Sequence, residues 1–294
     1  MNSPASSASP PRRPRVINLG SLNADLVYRV PTIVAPGQTL ASADFARHAG
    51  GKGLNQSVAL ARAGATVHHV GAVGEDGRWL RDALADVGAD VSGVAVLGDH
   101  ATGHAIIQVD DVGENAIVLF GGANRRAAFD PSVHGLGPGD WLLTQNETSG
   151  APEAIAAAKA GGASVAFNPA PMDDAVRGYP LEAVDLLVVN QSEAEALGDA
   201  AGRTLAAGGA VVTTYGPRGA AYRCGDETLE VPAEPADAVD TTAAGDTFVG
   251  YFLASRVAGL AVEPALRRAA KAAALCVGRP GAMPSIPLAA EVDA

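Results

Sequence analysis

Two carboxylates bracket a run of small residues in Asp240-Thr241-Thr242-Ala243-Ala244-Gly245-Asp246-Thr247-Phe248. Ala243, Ala244 and Gly245 carry almost no side chain, so a ligand can reach their backbone N–H groups. The helix expected to begin near Asp246 points its positive end at the same place, which makes an anion hole. A carboxylate there is poorly suited to holding an anion. It is well suited to taking a proton from a hydroxyl that then attacks a phosphoryl group. On these residues alone a second reading stays open, in which Asp246 is a helix N-cap and Thr247 opens the helix.

A second glycine-rich stretch, His48-Ala49-Gly50-Gly51-Lys52-Gly53-Leu54-Asn55-Gln56-Ser57, looks at first like a phosphate-binding loop. Lys52 is followed by Gly53, so no hydroxyl stands where a P-loop places one for magnesium. The dinucleotide fingerprint fails as well, because Gln56 occupies its third glycine position. What remains is a glycine loop opening a helix, with Lys52, Asn55 and Gln56 near its start.

The elements that must position these residues follow from the apolar pattern. From Val16 onward, short β-branched runs alternate with Ala-rich helical stretches, the pattern of crossover units in a parallel sheet. Strands are expected at 16–20, 66–73, 140–145, 164–168, 184–190 and 210–215, and helices around 54–63, 76–87, 151–160, 192–197, 246–258 and 263–277. The expected fold is therefore α/β, a three-layer α/β/α core on a parallel sheet. Residues 26–47 and 104–120 break the rhythm, alternating apolar and polar positions around turn residues. They are expected to form a small antiparallel sheet with one face open, suited to act as a lid over a ligand.

Composition narrows the functional classes. A chain of 294 residues with 48% hydrophobic and 18% charged residues can bury one large core. The net charge of −11 opposes nucleic-acid binding, and the longest apolar runs fall far short of the roughly 20 residues of a membrane span. Neither nucleic acid nor membrane is expected as a partner. Residues 1–14, MNSPASSASPPRRP, lack an apolar signal region and are expected to be a disordered tail ahead of a domain over 15–294. The two cysteines, Cys224 and Cys276, have no metal-ligand spacing, which favours reduced thiols and a cytoplasmic location.

Seven motifs in order give this chain a family resemblance: GSLNAD (20–25), GGKGLNQ (50–56), GENAI with GGAN (113–124), NPAP (168–171), NQSEAE (190–195), DTTAAGDTF (240–248) and GRPGAMPSIP (278–287). From about Val16 to Pro287 the sequence resembles the ribokinase-like (PfkB) carbohydrate kinases. The resemblance implies the three-layer fold with its lid, and transfer of the ATP γ-phosphate to the primary hydroxyl of a furanose, D-ribose first, with nucleosides or another carbohydrate as alternatives. A sugar sensor without turnover is a further alternative, opposed by the retained Asp246, Gly245 and Glu193. It also implies that the double-glycine loop binds the sugar and not the nucleotide.

By the same resemblance, Asn23, Asp25, Gly50, Gly51, Lys52, Asn55 and Glu147 form the sugar pocket, Asp246 is the catalytic base, and Ala243, Ala244 and Gly245 line the anion hole. Asn190, Gly216, Gly219 and Gly245 would face the nucleotide, and Glu193, with Asn190, would hold Mg2+ through water. A monovalent cation such as K+ is implied beside Asp240, Thr242, Cys276, Arg279, Gly281 and Ser285, with only Asp240 and Ser285 giving side-chain oxygens. The chain departs from the family pattern between Leu197 and Ala210, where it is shorter than usual and a truncated outer helix is expected, and at Ala270 and Lys271, which stand where relatives place a His or Asn near adenine. A lid with an exposed apolar face is expected to pair with a second copy in a homodimer.

Overall fold

In the computed structural model, which describes residues 14–294, the β-branched runs form the strands of two sheets; residues 1–13 of the expected tail lie outside the described residues. The strands are β1 (Arg15–Leu19), β2 (Asn23–Arg29), β3 (Asp44–Gly50), β4 (Thr66–Gly74), β5 (Asp90–Leu97), β6 (Gly103–Val109), β7 (Asn115–Phe120), β8 (Trp141–Gln145), β9 (Ser164–Asn168), β10 (Leu186–Asn190), β11 (Ala210–Thr214), β12 (Ala220–Cys224) and β13 (Glu227–Val231). The helices are α1 (Lys52–Arg62), α2 (Arg78–Asp86), α3 (Pro131–His134), α4 (Ala151–Ala160), α5 (Gln191–Leu197), α6 (Ala201–Ala206), α7 (Ala244–Val257), α8 (Val262–Val277) and α9 (Ala289–Val292).

The large sheet has nine strands in the order β13-β12-β11-β10-β9-β8-β1-β4-β5. All neighbours from β11 to β5 are parallel, and β12 and β13 are added antiparallel at one edge. Along each inner strand alternate residues enter two cores. Val16, Leu143, Ala166, Val188 and Val212 pack with α1, α7 and α8, while Ile17, Leu142, Val165, Val189 and Val211 pack with α4, α5 and α6. Helices on both faces complete the expected three layers.

β1 is the topological switch point: the chain leaves it for β4 and β5 on one side and returns on the other as β8. Ligands in open α/β sheets bind beyond the carboxyl ends of strands at such a point. Three buried polar residues gather there on the α1 side of the sheet: Asn18 of β1, Gln145 of β8 and Asn168 of β9. Helices α1 and α7 cross above them in close contact. Gly250 of α7 lies so near Ala59 of α1 that a Cβ would overlap the Ala59 methyl.

The small sheet has the order β3-β2-β6-β7. Each insertion is an antiparallel pair, β2 with β3 and β6 with β7, but the central pair β2–β6 runs parallel, because both insertions leave the large sheet in the same direction. The expectation of a single open face also changes. Ile117 and Leu119 share a face with Asp25, Val118 and Phe120 share the other, and all four are more than half exposed. Two further differences concern strands and helix bounds. The strands β5 and β13 at the sheet edges, and β12 beside β13, were not expected, and α7 begins at Ala244, ahead of Asp246. The short outer helix is α6, six residues long.

Candidate active site

Asp246 stands in the first turn of α7, two residues inside it, and no side chain caps that helix. The N-cap reading therefore fails: the position belongs to Ala243, whose φ of 61° makes it the one non-glycine residue with positive φ among the described residues. The Asp246 carboxylate turns instead to α1, where Asn55 Nδ2 donates to Oδ2 (3.1 Å) and Gln56 Nε2 donates to Oδ1 (2.9 Å). Only 9% of the residue is exposed. Burial raises its pKa and Glu147 adds to the rise, against the pull of Lys52 and the two amide donors.

The start of α7, expected from the sequence to line an anion hole, has two N–H groups without protein partners, and Ala244 is not one of them. The Ala244 N–H turns back to the Thr241 carbonyl at 3.3 Å and the Thr247 N–H bonds Ala243 O, which leaves the N–H groups of Gly245 and Asp246 for a ligand. A Cβ on Gly245 would meet no protein atom within 4 Å. Protein packing does not require a glycine there, whereas a ligand approaching the backbone does.

The residues expected to bind sugar come together beside Asp246. Asn23 pairs with Gly50 across β2 and β3, and the Asp25 carboxylate covers Gly50 so closely that a Cβ would overlap it. Glu147 accepts from the Lys52 N–H (3.2 Å) and from Ser21 Oγ (2.5 Å), tying the glycine loop to the end of β8. Asn23 Oδ1 accepts from Asn124 Nδ2 (2.7 Å), whose own Oδ1 takes the Leu22 N–H (2.9 Å). Asn23 and Asp25 thus sit on the small sheet itself, beyond the expected bounds of 26–47, and their placement depends on its attachment. Burial pushes the Asp25 carboxyl up to about 7, and Glu147 and Asp246 add to the rise. Burial works against the Lys52 charge, but Asp246, Glu147 and Glu193 outweigh it and raise its pKa.

A cavity of about 210 Å3 opens on the other side of Asp246, lined by Lys52, Asn168, Asn190, Glu193, Thr241, Ala243 and Gly245 among others. Asn190 and Glu193 form a capping box at the start of α5: Asn190 Oδ1 accepts the Glu193 N–H (2.8 Å) and Glu193 Oε2 accepts the Asn190 N–H (2.9 Å). One face of that carboxylate is spent on the helix, and its other oxygen fits an ion that keeps its waters. Gly216 and Gly219 lie in the turn between β11 and β12 and do not line the cavity. Gly219 is explained by packing, since a Cβ would overlap Val231 O. Arg218 of that turn donates to Gln191 Oε1, linking it to α5. A larger open cleft of about 670 Å3, at the base of the small sheet between Phe120 and Arg125, contains none of these carboxylates.

The residues expected around a monovalent cation also converge, behind the 240–243 loop. Asp240 accepts the N–H groups of Thr242 and Gly281, both at 2.9 Å. Burial works against its charge, but these bonds keep its pKa below the usual value. Cys276 Sγ lies 3.1 Å from Ser285 Oγ and 3.7 Å from the Thr242 carbonyl, and the Arg279 N–H bonds Cys276 O. The Arg279 side chain points away to Glu291.

Sequence reasoning gave no role to Ser21, Asn124, Gln56, Gln145 or Asn168, although four of the motifs contain one. A usable signal was present: Asn18, Gln145 and Asn168 interrupt runs that otherwise read as wholly apolar buried strands. Polar side chains are kept in such places only where they bond one another.

A family model described as pfkB family carbohydrate kinase matches residues 13–289. The chain is 35% identical to the ribokinase of Haemophilus influenzae over 288 residues, covering 92% of this chain and 94% of that protein. It is 35% identical to the ribokinase of Schizosaccharomyces pombe over 306 residues, covering 95% and 96%. Among solved structures, Arabidopsis thaliana ribokinase complexed with ribose and ATP superposes with a TM-score of 0.87 at 30% identity, over 96% of this chain and 98% of that one.

The buried Asp25 carboxylate has a consequence for stability. The folded state keeps its proton to about pH 7 whereas the unfolded chain loses it near the ordinary aspartate value of 3.8, so this group makes stability fall as pH rises between those limits. Asp25→Asn is expected to raise Tm at pH 8 and to leave it nearly unchanged at pH 4. Thermal unfolding across that range checks it, and a variant less stable than the parent at pH 8 would contradict the burial argument.

Proposed function

This chain belongs to the pfkB family of carbohydrate kinases, and from that membership we propose that it transfers the γ-phosphoryl group of ATP to the primary hydroxyl of D-ribose, giving ribose 5-phosphate. It is an ATP-dependent sugar kinase. One observation carries the finer reading. Asp246, buried and held by two amide donors, separates a cluster of sugar-side polar groups from a cavity floored by the N-terminus of α7.

Asn23, Asp25, Gly50, Gly51, Lys52, Asn55 and Glu147 surround the sugar, and Asp25 accepts from two adjacent hydroxyls. Asp246 takes the proton of the primary hydroxyl as its oxygen bonds to the γ-phosphorus and the bond from that phosphorus to the ADP oxygen breaks. The Gly245 and Asp246 N–H groups and the Lys52 ammonium offset the charge on the transferring group. Asn190 and Glu193 would hold the waters of a magnesium ion, which when bound neutralises phosphate charge. Gly216 and Gly219 flank the nucleotide from the β11–β12 turn. A monovalent cation, K+ in this reading, sits at Asp240, Ser285 and the carbonyls of Thr242, Cys276, Arg279 and Gly281, and fixes the 240–243 loop without touching substrate. The reaction is placed in the cytoplasm, where ATP is made and the free thiols of Cys224 and Cys276 stay reduced.

The small sheet supports the proposal of a homodimer. Its face toward Asp25 covers the sugar, while Phe45, Ile106, Val118 and Phe120 on the opposite face are exposed apolar groups that a second copy would bury. Multi-angle light scattering over a concentration series is expected to show twice the chain mass; a monomer throughout would remove the dimer.

The reaction is tested by comparing kcat/KM for ribose, 2-deoxyribose, fructose and several nucleosides. Ribose is expected first, with 2-deoxyribose lower by roughly 10- to 100-fold, because a lost hydroxyl leaves a buried acceptor unpaired at a cost of about 1–3 kcal/mol. A nucleoside ahead of ribose by about tenfold or more would replace the assignment. In sodium, potassium and tetramethylammonium salts of equal ionic strength, kcat is expected to be highest in potassium with little change in ribose affinity. Equal rates in all three would remove the cation.

A further inference from the structure

Gln56 is fully buried on α1 and its amide bonds three polar side chains. Its Nε2 donates to Asp246 Oδ1 and to Asn168 Oδ1, both at 2.9 Å, and its Oε1 accepts from Gln145 Nε2 at 2.7 Å. Which end of an amide faces which neighbour is settled by partners that can only accept or only donate. Two backbone carbonyls settle it here. Gly53 O fixes the Asn18 NH2 group (2.9 Å), so Asn18 Oδ1 faces Gln145 and must receive the Gln145 NH2 (3.0 Å). The same NH2 meets Gln56 Oε1, which turns the Gln56 NH2 toward Asp246. From the other side Val188 O fixes the Asn168 NH2 (2.9 Å) and presents Asn168 Oδ1 to Gln56.

The chain of amides extends past Asn18 to Ser57 (2.8 Å), to His69 Nδ1 (2.8 Å) and through His69 Nε2 to Gly20 O (3.2 Å). Burial lowers the His69 pKa to about 4, so its ring is neutral and keeps this polarity at working pH. Asn55, the other donor to Asp246, has no such backing: no protein group meets its Oδ1, so only the Asp246 carboxylate sets which way round its amide sits.

We propose that Gln56 is a positioning residue for the phosphoryl-transfer reaction, its NH2 held one way round by the Asn18–Gln145 and Asn168 amides so that Asp246 keeps a fixed orientation and an ionised, proton-accepting form. The inference rests on the kinase reading for what Asp246 does, but not for how Asp246 titrates. The other charged groups facing Asp246 are Lys52 of α1, Asp25 of β2 and Glu147 after β8, with Glu193 of α5 acting through Lys52. None of them changes when Gln56 is replaced.

Two variants test it, Gln56→Met, which removes the donor, and Gln56→Glu, which keeps the shape and the acceptor for Gln145 and can still donate while its own carboxyl is protonated. The second is expected to fold at pH 5–6 even if the first does not. Carboxyl 13C titration of Asp-labelled protein, with Asp246→Asn to assign the signal, is expected to show the Asp246 pKa raised by about 1–2 units in Gln56→Met, the scale of one lost charge-assisted donor, and in Gln56→Glu, where the two carboxyls share one proton, the upper step of the pair raised by at least as much. The Asp25 titration should stay in place. With ribose and ATP the acid limb of kcat should move up by the same amount while the ribose KM holds. A purely structural Gln56 would lower Tm and leave the Asp246 titration and the acid limb where they are, and that result overturns the proposal. If the parent enzyme phosphorylates no sugar, the kinase reading fails and the titration still decides the role of Gln56.

Discussion

A carboxylate shut away from water is costly unless cations or N–H groups face it, and Asp246 is such a group. Its position at the start of α7 puts it near orphan helix N–H groups, but the bonds that hold it come from α1. The two helices must therefore stay in contact, and Gly250 against Ala59 permits that contact. Through Gln56 the same carboxylate is tied to β1, β8 and β9, the strands that meet at the switch point. The position of one proton acceptor thus depends on the middle of the sheet and on two helices from distant parts of the chain.

The same arrangement divides the site in two. In the proposed reading, sugar-side groups come from the first strands of the small sheet and the glycine loop, whereas the phosphate side is built from strand ends and helix starts of the large sheet. Ser21, Glu147 and the Lys52 N–H join the halves by hydrogen bonds. Because Asn23 and Asp25 belong to β2, motion of the small sheet would move sugar contacts as well as the cover over them. The raised pKa of Asp25 is consistent with the proposed sugar contact, since a carboxylate awaiting hydroxyl donors is poorly compensated until they arrive.

Much of this was legible in the sequence, for stated reasons. Strands β1, β8, β9, β10 and β11 are apolar on both faces because helices cover both, so they stand out as runs. The strands β5, β12 and β13 lie at or next to the sheet edges and carry polar residues such as Asp90, Arg223 and Glu227, which hid them. Small-residue loops marked the anion hole, but local pattern could not tell an N-cap at Asp246 from a residue inside the helix. That choice was made by α1, 190 residues away in sequence. The amide network was legible only in part: Asn18, Gln145 and Asn168 stand out as polar residues of apolar strands, but only the sheet register brings them together. Gly216 and Gly219 are a different case: their glycine pattern was legible, but packing against Val231 O alone accounts for Gly219, so the pattern does not by itself point to a nucleotide.

The central claim is that Asp246 is the general base, and Asp246→Asn tests it most directly when turnover and ribose binding by calorimetry are measured on the same preparation. The substitution keeps the shape, and Asn55 can turn its free Oδ1 to meet the new N–H, so the fold and the sugar pocket should survive. What is lost is the proton acceptor. The expected result is a folded variant that binds ribose nearly as the parent does, with kcat lower by about 10²- to 10⁴-fold. A folded, ribose-binding variant that retains more than roughly a tenth of the parent kcat would contradict the assignment.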